Sequence, residues 1–362
     1  MALGVFTDDF YPHKGGMGRY VYEVTRRLPQ ERILIFSPCR NHLPRHVRID
    51  PPLHHGLHNL SLSLWLNHNI RRMVRDCRLT RVNIHCGPGG VFLLCKPSVP
   101  VLATSHHTYW QQARFVPFQS WKRIFIPFEA RTYRMADKIV AVSEDTRDVL
   151  VARYHISSEK VVVIPNGVDR QEFHPLEHVE RMPGSILYVG RVDKRKGLDF
   201  LIESMPLVLK RNPRVKLYVG GTGQHLHACK RLVKMHRLER HIEFLGHIPE
   251  ESLNEWYNRV VCLVVPSRFE GFGLTVVEAM AAGTSVVATK VDGLRTLVRN
   301  GVNGYLVDYG SRDELSSRIA SVLEDPEIQR AFSRKGQEMV AGGYDWDVVV
   351  SMISAELDRL GG

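Results

Sequence analysis

No stretch of this sequence approaches the ~20 consecutive apolar residues that a membrane-spanning helix needs. Its start, MALGVFTDDFYP, has no basic segment followed by a long apolar one, so no secretory leader is expected. Cysteine is sparse. Cys39, Cys77, Cys86, Cys95, Cys229 and Cys262 are scattered, with no C-x-x-C pair. A zinc site and a disulfide framework are therefore disfavoured, and a reducing cytoplasm fits. A zinc-finger pattern, an RNP motif and a compact Lys/Arg tract are all missing, which argues against nucleic acid. Low-complexity tracts and short solenoid repeats are missing too. With 44% hydrophobic and 24% charged residues, the composition is that of a soluble globular protein.

A chain of 362 residues is too long for one ordinary core, so two domains are expected. The net charge of +11 is unevenly spread. Residues 1–175 hold 24 Lys+Arg against 14 Asp+Glu, whereas residues 176–362 hold 25 against 24. A basic first half suits an acidic partner, such as a phosphorylated acceptor or an anionic membrane surface. A basic surface kept for solubility would give the same numbers.

The stretch that organises the chain is Val261 to Gly283, VCLVVPSRFEGFGLTVVEAMAAG. Val261 to Val265 is an unbroken apolar run, as expected of a strand covered on both faces. Pro266 ends it. Ser267 to Gly273 reads as a turn, with Gly271 and Gly273 where the backbone needs freedom, and Leu274 to Ala282 as a helix. Amides at such a turn and helix start converge on one spot, which the helix dipole makes favourable for phosphate. Glu270 and Glu278 bracket the turn with seven residues between them. Thr275-Val-Val-Glu278 also fits a capping box, in which the glutamate only satisfies the helix start. Glu270 is harder to explain as solvated surface, because a carboxylate repels phosphate unless it meets hydroxyls or a cation.

FEGFGLTVVEAMAAGTSVVAT resembles the signature of glycosyltransferase family 4, with its E-x7-E pair, although Thr284 and Ser285 stand in its last segment. The resemblance implies that Glu270 lies by the transferred sugar and that Glu278 binds the ribose hydroxyls of a sugar nucleotide. It also implies that the amides of Phe272, Gly273 and Leu274 hold the diphosphate. Further motifs agree. Gly190-Arg191 and Lys196-Gly197 match the G-R-x(4)-K-G pattern whose cations neutralise the diphosphate, although a solvated loop would also read as Lys194-Arg195-Lys196. Gly15-Gly16-Met17-Gly18 follows the first strand and is no dinucleotide fingerprint, so NAD is not indicated. It resembles the family's GG-x-G loop, which brings Gly16 towards the donor. ATSHHT resembles the segment whose histidine contacts the sugar, with His106 the better match and His107 the alternative; a buried structural histidine is the plainer reading.

Elsewhere, strands are expected at Leu3–Thr7, Ile33–Ser37, Val82–Cys86, Val99–Thr104 and Lys138–Val142, then at Ser185–Gly190, Lys216–Val219, Ile242–Leu245 and Ser285–Thr289. Helices expected at Tyr20–Leu28 and Leu60–Cys77 alternate with them, the second with Leu62, Leu66, Ile70, Met73, Val74 and Cys77 on one stripe. Arg40 to Leu57 reads as a loop with a short strand. Alternation of this kind predicts parallel, doubly wound sheets. The segment TYWQQARFVPFQSWK, from Thr108, places Tyr109, Trp110, Phe115, Phe118 and Trp121 beside Arg114, Lys122 and Arg123. That suits a membrane interface or a lipid-linked acceptor, and a domain core nearly as well.

The expected fold is α/β: two Rossmann-like domains facing a cleft (GT-B), with a C-terminal helix crossing back to the first domain. Residues 1–173 form the acceptor domain, 174–345 the nucleotide-sugar domain and 346–362 the crossing helix, with the linker at His174 to Gly184. The resemblance implies a retaining, metal-independent hexosyltransferase in glycan or glycolipid biosynthesis. No cofactor is expected beyond the nucleotide-diphosphate sugar, and no metal site. Partners are that donor, a glycan or lipid-linked acceptor and an anionic membrane surface on its cytoplasmic face. His106, Glu270, Arg191 and Lys196 are the catalytic set. Two other readings share the architecture. A nucleotide-sugar 2-epimerase would need no acceptor, and the E-x7-E pair speaks against it. A non-catalytic sugar-nucleotide-binding protein would keep Glu278 but need not keep His106, Arg191 and Lys196 together.

Overall fold

The computed structural model describes residues 2–12, 15–28, 32–50, 58–88 and 90–360. The chain divides into two compact units, Met1–Asn166 with Trp346–Gly362, and Gly167–Asp345. In the first unit, β1 (Ala2–Phe6), β2 (Arg32–Ser37), β3 (His46–Arg48), β4 (Arg81–Cys86), β5 (Val101–Ser105), β6 (Lys138–Ala141) and β7 (Val161–Val163) form one sheet in the order β3-β2-β1-β4-β5-β6-β7. Each pairing is parallel. β1, β4 and β5 are buried along their whole length, as central strands of a parallel sheet are, and in β4 this takes Arg81, Asn83 and His85 inside with the apolar residues. β5 begins at Val101 rather than Val99, because Pro100 has no N–H to give a ladder.

Helix His58–Asp76 lays the stripe Leu62, Leu66, Ile70 and Val74 into this core, with Met73 and Cys77 packed at its edge. Of the loop read at Arg40 to Leu57, β3 is the short strand, and 51–57 lie outside the described residues. The core reading of the aromatic segment holds for only part of it. Tyr109 is buried and Trp110 partly buried, whereas Phe118 and Trp121 are exposed. Helix Trp346–Arg359 belongs to this unit. It is held by Trp346 packed edge-on against Tyr20 and by Arg81, which donates to the Leu357 carbonyl.

In the second unit, β8 (Ser185–Val189), β9 (Lys216–Gly220), β10 (Ile242–Gly246), β11 (Cys262–Val265), β12 (Ser285–Thr289) and β13 (Tyr305–Val307) form a parallel sheet in the order β10-β9-β8-β11-β12-β13. The core is built on Leu187, Leu263, Val264 and Val287, none more than slightly exposed. In both sheets the strand order reverses beside the first strand, at β1/β4 and at β8/β11, and crevices at such reversals are where open α/β sheets bind ligands.

The division at Asn166–Gly167 corrects the boundary expected at 173/174. Residues read as the end of the first domain are tied into the second unit: the Val168 amide donates to the Tyr344 carbonyl, and Phe173 is buried with its ring 5.9 Å from that of Tyr257. The His174 amide donates to Asn254 Oδ1 and the Leu176 amide to Asn258 Oδ1, so the proline-marked linker is packed surface.

Candidate active site

At the reversal of the second sheet, β8 and β11 end in two loops that meet. Asp193 caps the turn after β8, accepting from the amides of Arg195 and Lys196. Gly197 closes that turn at φ +69°, where a Cβ would stand 1.9 Å from the Pro266 carbonyl oxygen, so only glycine lets the loops touch. The Arg268 amide donates to the Arg195 carbonyl and fastens them together. Between them lies Glu270. Its Oε1 accepts from Lys196 Nζ at 2.5 Å and from Ser267 Oγ at 2.8 Å, and Arg195 Nη1 stands 3.6 Å from its Oε2. Thr289, at the end of β12, donates to the Ser267 carbonyl at 2.5 Å and steadies the turn from below.

Burial alone would raise the Glu270 carboxyl. Lys196 and Arg195 beside it, with the hydrogen bonds from Lys196 and Ser267, overcome that and hold it at about 2. Burial draws the Lys196 ammonium below its ordinary value, against the pull of Glu270. The trio of two cations and one carboxylate keeps one net positive charge at a helix start.

Helix Leu274–Ala281 follows, with Gly273 as its N-cap at φ +111°. The amides of Gly273 and Leu274 thus sit where the helix dipole is positive, and Phe272 is buried beside Tyr344. The capping-box reading of Thr275 and Glu278 is corrected. Gly273 is the cap, so Glu278 lies a full turn into the helix, and its Oε2 accepts from the Tyr257 hydroxyl at 2.9 Å.

The predicted cation pair is only half assembled. Lys196 meets Glu270, but the Arg191 side chain is 66% exposed and approaches only Asp193, at 4.0 Å. Arg195 takes the inner position instead, with its side chain 13% exposed. The solvated-loop reading therefore fails for Arg195 and Lys196. Sequence reasoning also missed Ser267, Thr289 and Gly293. A Cβ on Gly293 would stand 2.8 Å from the Glu270 carbonyl oxygen, and its place just before the next helix was the available signal.

At the reversal of the first sheet the chemistry is different. His85 near the end of β4 and His106 just past β5 share a hydrogen bond, Nδ1 to Nε2, at 3.0 Å, and their rings lie 5.3 Å apart. Tyr20 stands edge-on to His106 at 5.0 Å. Burial lowers both imidazoles, His106 to about 3, so the pair is neutral. His106 is the buried member of the His106–His107 pair, and His85 is a partner the sequence did not suggest. Helix Gly16–Arg27 begins four residues before the expected Tyr20, with Gly15 as cap. Gly18 is needed there because a Cβ would fall 2.7 Å from Asp9 Oδ2. Gly16 is thus the first helical residue, with the Asp9 carboxylate lying against its turn.

The spacing of a divalent-cation motif occurs once, at Asp345-Trp346-Asp347. Trp346 is buried, and Asp347 Oδ1 lies 3.3 Å from Arg27 Nε, which makes the string a fold contact. Among the described residues no three His, Cys, Asp or Glu side chains converge as metal ligands would.

Two doubly wound parallel sheets, one carrying a cationic, glycine-closed turn at its reversal, place fixed positive charge where open α/β sheets bind ligands. Comparison with known proteins gives the class. The family described as "Glycosyl transferases group 1" matches residues 169–339, and "Glycosyltransferase Family 4" matches residues 14–172. A D-inositol 3-phosphate glycosyltransferase of Catenulispora acidiphila is 32% identical over 378 residues, covering 94% of this chain and 90% of that relative. A phosphatidyl-myo-inositol mannosyltransferase of Mycobacterium tuberculosis is 31% identical over 277 residues, 73% of this chain and 68% of the relative. The glycogen synthase of the same organism is 28% identical over 256 residues, 70% of this chain and only 61% of that protein's length. Among solved structures, the sucrose-phosphate synthase of Thermosynechococcus elongatus shares 21% identity and 99% of both chains, at a TM-score of 0.86. The chain belongs to the group 1 glycosyltransferases and has their GT-B fold.

Proposed function

We propose that this protein is a retaining, metal-independent hexosyltransferase that moves a sugar from a nucleotide-diphosphate donor to a glycan or lipid-linked acceptor. The observation that carries the reading is the Arg195–Lys196–Glu270 trio beside the Gly273-capped helix. A diphosphate there meets two fixed cations and a helix start, so negative charge that develops on the leaving group is neutralised by groups already in place.

Retention often proceeds by double displacement through a carboxylate nucleophile. Glu270 is a poor candidate, because two cations and a hydroxyl already occupy its oxygens. Front-side attack fits better. The bond between the anomeric carbon and the phosphate oxygen breaks, and the acceptor oxygen bonds to that carbon from the same face. The acceptor proton passes to the departing phosphate oxygen. Lys196 and Arg195 stabilise that phosphate, with Arg191 on the rim. Glu270 orients the sugar hydroxyls. The amides of Phe272, Gly273 and Leu274 take the diphosphate, and Glu278, steadied by Tyr257, takes the ribose. In the first unit, the loop around Gly16 belongs to ligand binding, and the neutral His106 offers the sugar a hydrogen-bond partner without a charge. The relatives' names span a glucan, a soluble inositol phosphate and a phosphatidylinositol, so membership of the family leaves the acceptor open. The basic excess of residues 1–175 supports an anionic one, met at the cytoplasmic face of a membrane.

The test is a thermal-shift screen of nucleotide sugars, followed by mass spectrometry of products with candidate acceptors. A sugar-extended acceptor supports the reading. An epimer or free nucleotide formed without acceptor would replace it with the epimerase, and binding without turnover with the non-catalytic reading.

A further inference from the structure

The first unit carries a second charged constellation, built mainly on the segment that follows His106 and His107. Arg114, Arg123 and Arg153, with Trp110 and Ile126, line a cavity of about 500 Å³. The guanidinium carbons of Arg114 and Arg153 lie 5.1 and 5.0 Å from the Trp110 ring centroid, so one indole seats two cations. None of the three arginines pairs with a carboxylate among the described residues. Other arginines among the described residues do find a carboxylate, as Arg147 does with Glu144 three residues away. The acid of this segment, Glu129, is turned inward. Burial pushes it up to about 8 against hydrogen bonds from Tyr154, the Tyr109 amide and Tyr133. It holds the start of helix Tyr109–Phe115, and the Trp110 amide donates to the Tyr154 hydroxyl, so the indole that seats the cations is itself anchored.

Three guanidiniums sharing one cavity without a counter-ion repel each other, and an oxyanion with several acceptor oxygens relieves that. Beside the cavity, the turn Pro117–Phe125 and the helix Ile126–Met135 expose Phe118 (50%), Trp121 (56%), Ile124 (62%) and Phe128 (42%). Among the described residues, four of the eleven exposed large hydrophobic side chains fall within this short segment, next to the cations, and Lys122 lies against Trp121. A soluble phosphate would use the arginines and leave this apolar ridge without a purpose. A bilayer uses both, since aromatics enter the interface while cations take the headgroup phosphates.

We propose that Arg114, Arg123 and Arg153 form a phosphate seat for an anionic phosphodiester lipid, and that Phe118, Trp121 and Ile124 enter the surface of the bilayer that presents it. This deepens the acceptor half of the proposed function, and it rests on that reading only for the purpose of docking. Vesicle binding needs no donor and no turnover, so failure of the transferase assay leaves it standing, and the reverse.

The test is flotation of the full chain with phosphatidylcholine vesicles, with and without phosphatidylglycerol. Binding is expected only with the anionic vesicles and should fall as salt rises. Arg114→Ala with Arg153→Ala should weaken it about fivefold per cation removed, while the thermal shift given by nucleoside diphosphate stays unchanged. Trp121→Ser with Ile124→Ser should also lower flotation. Equal recovery on neutral vesicles, no recovery on anionic ones, or wild-type flotation of the arginine variant would overturn the proposal. If glycerol 3-phosphate protects the wild type but not the arginine variant, and the apolar variant floats normally, the seat serves a soluble phosphate and the lipid reading is wrong.

Discussion

At the reversal of the first sheet, β1 and β4 end beside a neutral, buried pair, His85 and His106, with the Asp9 carboxylate against the glycine turn. At the corresponding reversal of the second, β8 and β11 end in a charged trio, Arg195, Lys196 and Glu270. The strand orders are the same through the reversal, so the sheet fixes only where a ligand can sit. The loops decide what it meets. One offers a neutral imidazole pair with a carboxylate near by, groups that suit sugar hydroxyls; the other offers fixed cations, which suit a diphosphate. Each experiment below asks whether that division is real.

The largest effect is expected from the charged side. Lys196→Ala or Arg195→Ala should lower kcat by about a hundredfold, the scale of ~3 kcal/mol lost with one preorganised charge donor. Arg191→Ala, exposed and outside the trio, should cost far less. Glu270→Gln should slow transfer while leaving nucleotide affinity near wild type. Steady-state kinetics on variants that melt cooperatively measures all four. Equal losses at Arg191 and Arg195 would mean that the exposed arginine closes over the donor and that the trio is not the centre.

The Arg191–Arg195 exchange shows how far the sequence could be read. Buried runs such as Val261–Val265 and the Leu62–Val74 stripe are legible because a strand or helix face follows from spacing alone. Lys196, Glu270 and Glu278 were legible because a motif fixes their register. Which arginine turns inward was not legible, since it depends on the Asp193 cap and the Gly197 turn folding the segment back onto Pro266. His85 was invisible for a similar reason: only the β4/β5 pairing brings it to His106. Helix Pro326–Gly343 drew no reading although Asp325 and the proline after it are a plain helix start.

A pH series separates the two sides by the windows in which they titrate. His106, at about 3 in the fold against an ordinary 6.5, is neutral when folded. Between those values the unfolded chain binds the extra proton, so its contribution is whole above about 6.5 and declines as pH falls towards 3. Glu270, at about 2 against an ordinary 4.5, is charged when folded; its contribution is whole above about 4.5 and is lost as pH falls towards 2. Glu129, held up to about 8, gains stability as pH falls through the same window, so wild type shows the sum of opposed contributions. Calorimetry comparing the two proteins should find His106→Gln losing less than wild type between pH 6.5 and 4.5, by on the order of 2 kcal/mol. Glu270→Gln should follow wild type in that window and diverge only below it. A Glu270 variant that flattens the upper window would show that the two sites do not titrate apart.

A smaller effect is expected at Glu278. If it takes the ribose, Glu278→Gln should weaken nucleoside diphosphate binding about tenfold, the worth of a hydrogen bond to a charged acceptor, and Tyr257→Phe should weaken it less. If Glu278 serves only Tyr257, both variants should instead lower stability by about 1 kcal/mol and leave affinity alone. Titration calorimetry with the bare nucleotide tells the two apart.

The smallest effect expected is none at all: transfer should proceed unchanged in EDTA. The charge that a metal would bring is already present. A diphosphate entering the second unit meets Lys196, Arg195 and the Gly273-capped helix start, and the trio carries one positive charge in excess. A divalent ion adding to that cradle would stand beside two cations and need carboxylates to hold it. Glu270 has both oxygens engaged with Lys196, Ser267 and Arg195, and Glu278 is engaged with Tyr257. The Asp345-Trp346-Asp347 string offers no easy substitute, because Asp347 is tied to Arg27. Initial rates with and without chelator decide it. A rate abolished by EDTA and restored by manganese or magnesium would mean that the ion draws Glu270 away from Lys196, and the division between a histidine-lined and a cation-lined reversal would have to be redrawn with a metal on the cationic side.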